Sequence, residues 1–469
     1  MMEGISSEAF SLAGTLGLSK LIVLYDSNRI SIEGSTDIAF RENVQERMQA
    51  FGFQTITVED GNDIDAIGKA IEAAKADTEH PSFITIKTQI GFGCPAKQGK
   101  ASAHGEPLGV ENVEALRKNL NWPSEEPFFV PEEVYKNYSE ISEQKAEVEA
   151  AWNVMFAAYC EEYPEMEALW NQYYGDTDEL AKALMEDDSF WANSEKAEAT
   201  RNLSGKIITS KRPLPNLIGG SADLAPSNKT NMSDAGDFSK ADYAGRNMHF
   251  GVRELAMTAI GNGMMLHGGL RTYVSTFFVF SDYTKPMARL SALMKMPLTF
   301  VFTHDSIGVG EDGPTHEPIE QLAMFRAMPN FHVFRPCDAT ETSAAWLSAA
   351  TSKKTPTALV LSRQNLNPIP GSSKEALKGG YVIDDCEGTP DAILIASGSE
   401  VDLAVKAKAE LATKERRSVS YPCRVWISLR SRVRSIKSPY FRKRSERELS
   451  LRHFPTSAGA SMSASTALM

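Results

Sequence analysis

Strand-length apolar runs alternate with segments of helical periodicity along most of the chain. KLIVLYDSN (20–28) and SFITIKTQIGFG (82–93) predict buried strands. GNDIDAIGKAIEAAKAD, between them, predicts a helix with an Asp N-cap. From Pro131 to about Glu195 the chain is rich in Glu, Ala and Lys and lacks strand patterns, which predicts a helical connector.

A second alternating block begins near Arg201. It predicts strands at LTFVFTH (298–304), FHVFRPCD (331–338) and TALVLSR (357–363), separated by helices at about 318–328 and 341–350. A third block starts with DAILIASGSE (391–400) and continues into the helix-like VDLAVKAKAELA. After about Lys414 neither periodicity is present, so we expect no regular element there. The alternation predicts an α/β fold with parallel sheets flanked by helices.

Composition narrows the class of protein. At 469 residues the chain is long enough for about three domains. Its five cysteines are dispersed and odd in number, which suits a reducing cytosol. No apolar run reaches the roughly 20 residues that a membrane span needs. We therefore expect a cytoplasmic protein without a membrane partner.

Charge is distributed unevenly. The formal net charge is −12, yet residues 416–452 hold twelve Arg and Lys against two Glu, a balance of +10. The rest of the chain therefore carries −22. An acidic body argues against nucleic acid as a partner.

Polar residues follow several of the predicted strands. Asp26 and Asn28 come at the end of the first strand, His304 and Asp305 at the end of LTFVFTH, and Arg363 at the end of TALVLSR. Ligands of open parallel sheets bind outside the carboxyl ends of the strands. These residues are therefore candidates for a binding site.

Two glycine-containing loops add further candidates. In SIGVGEDGPTHEP (306–318) and GGSADLAPSN (219–228) they are Glu311, Asp312, His316, Ser221 and Asp223. Each loop is also compatible with a solvated turn or a helix cap.

One carboxylate stands at the start of an apolar run, because Glu254 in MHFGVRELAM precedes LAMTAIGNGMMLHGG. With Arg253 it could form an exposed pair at a helix start, favoured by the helix dipole. A buried acid would instead need a partner or a retained proton. The nearby aromatic run TFFVFSDY (276–283) is typical of a core, but it would also form the wall around a flat heteroaromatic ring.

Several long motifs together resemble the transketolase family, thiamine-diphosphate enzymes that move two-carbon ketol units between sugar phosphates. They run in order from the first residue to about Leu411. The motifs are MEGISSEAFSLAGTLGLSKLI, Asn28-Arg29-Ile30, GGSADLAPSN, HFGVREL, STFFVFSDY, THDSIGVGEDGPTHEPIEQ, RPCDATET and LVLSRQNL. The resemblance implies a thiamine-diphosphate-binding fold.

The resemblance also implies thiamine diphosphate and a bridging Mg²⁺ or Ca²⁺ as cofactors. Glu254 matches the family's glutamate that hydrogen-bonds the aminopyrimidine ring, and desolvation would raise the pKa of its carboxyl group. The residues implied to contact the cofactor are Asp223, Glu254, Phe277, Phe280, Tyr283 and Asn28. Asn28 and the carbonyl of Ile30 match two ligands of the divalent ion.

The implied substrates are a ketose phosphate donor and an aldose phosphate acceptor, as in the pentose phosphate pathway or Calvin-type sugar interconversion. The implied catalytic residues are Glu254, His316, His104 and His304. The residues implied to bind substrate are Arg201, Ser227, Asp312, His316, Arg363 and His104, of which Arg201, Ser227 and Arg363 match the phosphate site. The family implies a homodimer with active sites between subunits.

The resemblance divides the chain into segments. They are the C-terminal part of a diphosphate domain at 1–165, a helical connector at 166–196, a complete pyrimidine domain at 197–370 and the start of a third α/β domain at 385–413. The family's Gly-Asp-Gly segment, with a third metal ligand, would precede Met1, so we expect a fragment that binds the cofactor weakly or not at all. The Arg- and Ser-rich tail at 414–469 does not resemble the family, which favours out-of-frame translation over a basic tail that docks on RNA.

Two other functions remain open. A related thiamine-diphosphate enzyme, such as a dihydroxyacetone synthase or a deoxyxylulose-phosphate synthase, would carry similar motifs. The contiguous GEDGPTHEP loop and the three phosphate-site residues favour transketolase. The other alternative is a non-enzymatic remnant.

Overall fold

A computed structural model describes residues 1–191, 195–210, 214–385, 393–413 and the strand 423–426. The chain forms two compact units. Unit 1 consists of Met1–Trp170 with Ser239–Tyr243, and unit 2 consists of Asn171–Phe238 and the chain from Ala244 onward. In the described ranges, no helix combines the length and the apolar character needed to cross a membrane. The domain boundaries given by the resemblance stay predictions.

Unit 1 contains a parallel sheet of three strands in the order β1-β5-β4, and a two-stranded hairpin of β2 and β3. The strands are β1 (Ile22–Ser27), β2 (Ile30–Ser31), β3 (Gly34–Ser35), β4 (Gln54–Val58) and β5 (Ser82–Lys87). The helices that begin in this unit are α1 (Gly4–Leu16), α2 (Val44–Ala50), α3 (Ile64–Ala76), α4 (Val110–Asn119), α5 (Glu132–Glu162) and α6 (Pro164–Tyr174).

Both faces of this sheet are covered, as expected for parallel strands. Successive side chains of β5 point to opposite faces. Phe83 therefore packs in one cluster with Met48 of α2. Ile84 packs in another cluster with Ala74 of α3.

Unit 2 is built on a parallel sheet of six strands in the order β10-β11-β9-β8-β6-β7. These strands are β6 (Leu217–Ser221), β7 (Asn247–His249), β8 (Arg271–Phe277), β9 (Thr299–Thr303), β10 (His332–Phe334) and β11 (Thr357–Leu361). The helices of the unit are α7 (Asp178–Glu186), α8 (Asp188–Trp191), α9 (Thr200–Ser210), α10 (Ala225–Asn228), α11 (Glu254–His267), α12 (Ser281–Met294), α13 (Gln321–Arg326), α14 (Ala339–Thr351) and α15 (Glu400–Thr413).

A smaller sheet in unit 2 has the order β12-β14-β13, formed by β12 (Gly380–Asp384), β13 (Leu394–Ala396) and β14 (Cys423–Trp426). β14 pairs parallel to β13 and antiparallel to β12. The expectation of no regular element after Lys414 was therefore wrong for these four residues. Backbone pairing to two neighbours places a strand there without an alternating pattern in its own sequence.

Most predicted elements are present, with differences at their ends. The helix predicted with an Asp cap is α3, in which the Asp63 side chain accepts a hydrogen bond from the backbone N–H of Ala66 at 2.9 Å. The strand predicted at 82–93 ends at Lys87, and the helix predicted at 318–328 is shortened to α13. Several strands were not predicted, among them β4, β6, β7, β8 and β12. The sequence of β4, QTITV, contains two apolar residues, and the strand lies at the edge of its sheet, where it pairs with β5. Asp391, the first residue of the third block, lies outside the described residues.

Candidate active site

The carboxyl ends of the strands in unit 2 bring several predicted site residues to one edge of the sheet. His304 follows β9, Phe277 ends β8, and Arg363 comes two residues after β11. In the register of β8 and β9, Phe277 pairs with Thr303. The ring centroids of Phe277 and His304 consequently lie 3.7 Å apart.

Two residues at this edge have left-handed backbone conformations. His304 has φ of 61°, and Asp223, two residues after β6, has φ of 67°. Residues other than glycine adopt such values rarely and keep them where the surrounding structure holds them, often at functional sites. His304 is buried and Asp223 is exposed. The left-handed backbone thus coincides with a residue predicted at a strand end, His304, and with a loop candidate, Asp223, which the structure places after β6.

Arg201, Arg363 and His304 form a basic group. Arg201 Nη1 lies 3.4 Å from His304 Nε2 and donates a hydrogen bond to the Ser227 carbonyl at 2.9 Å. Burial, and then the positive charge of Arg363, lowers the pKa of Arg201. Arg363 Nη2 lies 3.7 Å from an oxygen of the exposed Glu311 carboxylate. An anion with two negative charges would offset the repulsion between these two guanidinium groups and accept hydrogen bonds from both.

His304 is uncharged at neutral pH. Burial, followed by the charges of Arg201 and Arg363, lowers the pKa of its imidazole to about 3. The ring therefore acts as a neutral hydrogen-bonding group.

Near-parallel aromatic rings extend from the end of β8. The rings of Phe277 and Phe280 are 5.9 Å apart with planes 10° apart, and those of Phe280 and Tyr283 are 6.2 Å apart with planes 27° apart. His316 meets Phe280 edge-on at 5.3 Å, and its Nδ1 lies 2.9 Å from Thr315 Oγ1. Tyr283 is 59% exposed. This wall can stack against a flat ring, whereas a core aromatic cluster would be closed on all sides.

Glu254 is the first residue of α11 and is half-buried. Its exposure is intermediate between the two possibilities that the sequence left open, an exposed ion pair with Arg253 and a fully buried acid. Arg253 is the N-cap residue of the helix, and its Nη1 donates to the Phe250 carbonyl at 2.9 Å. α11 packs against both β8 and α12. The raised pKa expected for Glu254 stays a prediction.

Three predicted site residues belong to unit 1. In the turn after β1, Asn28 Oδ1 accepts a hydrogen bond from the Ile30 N–H at 3.0 Å, and Arg29 between them has φ of 59°. His104 is exposed and follows a short 3-10 turn at Ala101–Ala103. Within the described part of the chain, no cluster of three or more His, Cys, Asp or Glu side chains could hold a metal ion. The potential metal ligands in the turn Asn28–Ile30 are instead an amide oxygen and a backbone carbonyl oxygen.

The remaining predicted residue, Asp312, is exposed in the loop between β9 and α13. Its role, like the roles of the other site residues, stays a prediction. Sequence reasoning missed a set of buried polar residues beneath His304, namely Thr303 and Asn228. A signal for them existed, since Thr303 is a polar residue at the end of a mostly apolar strand and Asn228 is the last residue of the motif GGSADLAPSN.

Three family models match successive parts of the chain. The transketolase thiamine diphosphate binding domain matches residues 1–177, the transketolase pyrimidine binding domain matches 197–368, and a transketolase-like C-terminal domain matches 379–458. The chloroplastic transketolase of Craterostigma plantagineum is 48% identical over 424 residues, which are 89% of this chain and 81% of that protein. The chain belongs to the transketolase family. The predicted α/β fold and the family resemblance are thereby confirmed.

Other transketolases give the same result. That of Halalkalibacterium halodurans is 51% identical over 417 residues, 88% of this chain and 62% of the relative. The crystal structure of the Pichia stipitis transketolase with sedoheptulose-7-phosphate has a TM-score of 0.85 at 42% identity, covering 95% of this chain and 65% of that one. The chain thus spans less than two thirds of the length of each. The match to the C-terminal model continues past Lys414, where we expected the resemblance to end.

Proposed function

We propose that this transketolase-family chain transfers a two-carbon ketol unit from a ketose phosphate to an aldose phosphate. The observation that carries the proposal is the basic group of Arg201, Arg363 and neutral His304 beside the stacked rings of Phe277 and Phe280. A phosphate site next to an aromatic wall suits a phosphorylated substrate and a ring-bearing cofactor.

The residues of unit 2 fit the pyrimidine ring of thiamine diphosphate. The near-parallel rings of Phe277, Phe280 and Tyr283 end in an exposed face, and half-buried Glu254 supplies a carboxyl group at a helix start. When bound, thiamine diphosphate supplies an electron sink for the carbon–carbon bond change. In this proposal the aromatic residues hold the ring and exclude water, Glu254 shares a proton with a ring nitrogen, and Asp223 lies near the cofactor.

The turn of unit 1 fits a hard divalent cation in donor type. Asn28 Oδ1 and the Ile30 carbonyl oxygen belong to the ligand class that Mg²⁺ and Ca²⁺ prefer. We propose that these two residues contribute to binding the metal that accompanies the diphosphate. The weak cofactor binding expected from the sequence is a competing prediction, and a thiamine diphosphate titration with and without Mg²⁺ decides between them.

The substrate's phosphate would bind Arg201 and Arg363 with Ser227, since planar guanidinium groups match phosphate oxygens. We assign the sugar hydroxyls to His316, Asp312 and His104. An imidazole nitrogen of His316 or His104 would exchange a proton with the sugar. A neutral His304 would serve there as a hydrogen-bonding group.

We also propose a homodimer and a cytoplasmic location. Both follow from the family resemblance and the dispersed cysteines. Sedimentation velocity of the purified chain tests the dimer, and fractionation of the source cells tests the location.

A two-substrate assay of Glu254→Gln tests the proposed function. We expect ketol transfer to fall about 10²–10⁴-fold, because Gln cannot share a proton with the ring. Glu375→Gln, which alters an exposed carboxylate, is the matched control and should leave the rate unchanged. Equal rates in the two variants would contradict the assignment. A donor and acceptor screen with phosphorylated and unphosphorylated sugars would separate transketolase from the related enzymes.

A further inference from the structure

A chain of buried hydrogen bonds runs beneath His304. His304 Nδ1 lies 2.8 Å from Thr303 Oγ1, which lies 2.6 Å from Asn228 Oδ1. Asn228 Nδ2 lies 2.8 Å from Ser221 Oγ, and Ser221 Oγ lies 3.0 Å from the Ser275 carbonyl oxygen. Each of these side chains is buried. This series of hydrogen bonds connects residues at the ends of β9 and β6 with a residue inside β8.

The Ser275 carbonyl oxygen, at the far end of this series of hydrogen bonds, fixes the direction of each of them. A carbonyl can only accept, so the Ser221 hydroxyl donates to Ser275 and accepts from the Asn228 amide nitrogen. The Asn228 carbonyl oxygen then faces Thr303 and takes its single hydroxyl proton. Thr303 Oγ1 can therefore only accept from the imidazole. The proton of neutral His304 consequently lies on Nδ1, and Nε2 presents a lone pair.

That lone pair faces Arg201. A guanidinium group has only donors, so its contact with Nε2 requires an unprotonated nitrogen. The same Nη1 is held by the Ser227 carbonyl. The imidazole plane is also held by Phe277, packed against its face. The orientation of Arg201 thus depends on which nitrogen of His304 carries the proton.

We infer that Asn228 is a positioning residue, which acts through Thr303 to keep the proton of His304 on Nδ1 and so directs Arg201 toward a phosphate group. The functional part of this inference rests on the proposed function, since it assigns Arg201 to the substrate's phosphate. The tautomer does not depend on that assignment. In an Asn228→Leu variant, Thr303 is free to donate to Nδ1, which permits the proton to move to Nε2, where it opposes Arg201.

NMR of the full chain labelled with ¹⁵N-histidine tests the tautomer directly, with His304→Gln used to assign the signal. We expect the wild-type ring to carry its proton on Nδ1 and the Asn228→Leu ring to populate the Nε2–H form. The wild-type spectrum needs no variant, and a proton on Nε2 there would overturn the inference. If Asn228→Leu does not fold, Thr303→Val removes Thr303 Oγ1, the acceptor of the Nδ1 proton itself, with little change of shape.

Binding of inorganic phosphate, followed by calorimetry, provides the second measurement. We expect the dissociation constant to rise about tenfold in Asn228→Leu, as for a lost hydrogen bond to a charged group. The matched control is Asn262→Leu, because Asn262 is also buried and bonded to Ser291 Oγ and the Met287 carbonyl, away from His304. Equal phosphate affinities in the two variants would overturn the positioning role. If both measurements behave as inferred but the wild-type chain shows no ketol transfer, only the proposed function fails.

Discussion

Two buried carboxyl groups in unit 2 are stabilised in different ways. Asp305, next to His304, is 6% exposed and accepts a hydrogen bond from Arg335 Nε at 2.7 Å. Glu341, in the first turn of α14, is fully buried. Its hydrogen-bond partners in the described ranges include the Cys337 N–H at 2.9 Å, the Tyr381 hydroxyl at 3.0 Å and the Cys337 thiol, all of them neutral. One acid is paired with a cation and the other is held by dipoles alone.

The difference changes how the two regions respond to pH. Burial, reinforced by the charge of Asp338, raises the pKa of Glu341 to about 7. Burial also raises the pKa of Asp305, but the charge of Arg335 opposes that shift. At Asp305 the Arg335 cation therefore works against protonation, whereas the Glu341 cluster has no such cation among its described partners and makes folding sensitive to pH near neutrality.

Removing the cation should have the largest effect. In Arg335→Leu, Asp305 loses its partner and Glu400 loses the guanidinium that it contacts. We expect the free energy of unfolding to fall by about 3–5 kcal/mol, as for other broken buried ion pairs, in urea titrations at pH 7. Lys353→Leu is the control, because Lys353 is an exposed partner of Asp176 and Asp178. Similar losses in the two variants would show that burial of the pair is not what matters.

Replacing the titratable carboxyl group of Glu341 should have the next largest effect. The folded-state pKa of Glu341 lies above its ordinary value of 4.5, so the folded chain binds more protons between pH 4.5 and about 7. Stability from this group is full below pH 4.5 and is lost as the pH rises through about 7. We expect up to roughly 3 kcal/mol of this dependence in the wild-type chain.

The variant Glu341→Gln keeps the shape of the side chain but cannot titrate. Urea unfolding between pH 5 and 8 should therefore show a flatter pH dependence than in the wild-type chain. Glu375→Gln changes an exposed carboxylate and should retain the wild-type slope. An unchanged slope in Glu341→Gln would assign the pH dependence to another group.

The smallest effect should come from an acid that caps a helix at the surface. That acid is Asp63, which caps α3 in unit 1 and is exposed. The cap of α14, Asp338, differs from it because Asp338 is buried and accepts a hydrogen bond from the Ser372 hydroxyl besides the one from the Glu341 N–H at 3.1 Å. Asp63→Ala should cost about 1 kcal/mol, the usual value of an N-cap. Hydrogen exchange of the α3 amides should then accelerate about fivefold. A loss as large as that of Asp338→Ala would show that the buried contacts of Asp338 add nothing.

Local chemistry explains which elements were predictable. Asp63 caps α3 as expected, since a cap needs only a side-chain oxygen and an N–H three residues later. Strands such as β4, β8 and β14 were not predicted, because pairing with neighbouring strands, rather than their own periodicity, places them in sheets. The family motifs supplied the site residues, but motif matching says nothing about which groups are charged.

Periodicity, caps and motifs are properties of short segments, so the α/β class, the family and the polar residues after β1, β9 and β11 could be predicted without a structure. Only the folded structure shows that Glu341 is buried and that Asn228 lies behind His304, a residue 76 positions later in the sequence. Burial and hydrogen-bond partners depend on how β8 and β9 align, which no single segment encodes. Protonation follows from those contacts, so the charge state of the candidate site became evident only once the strands were paired.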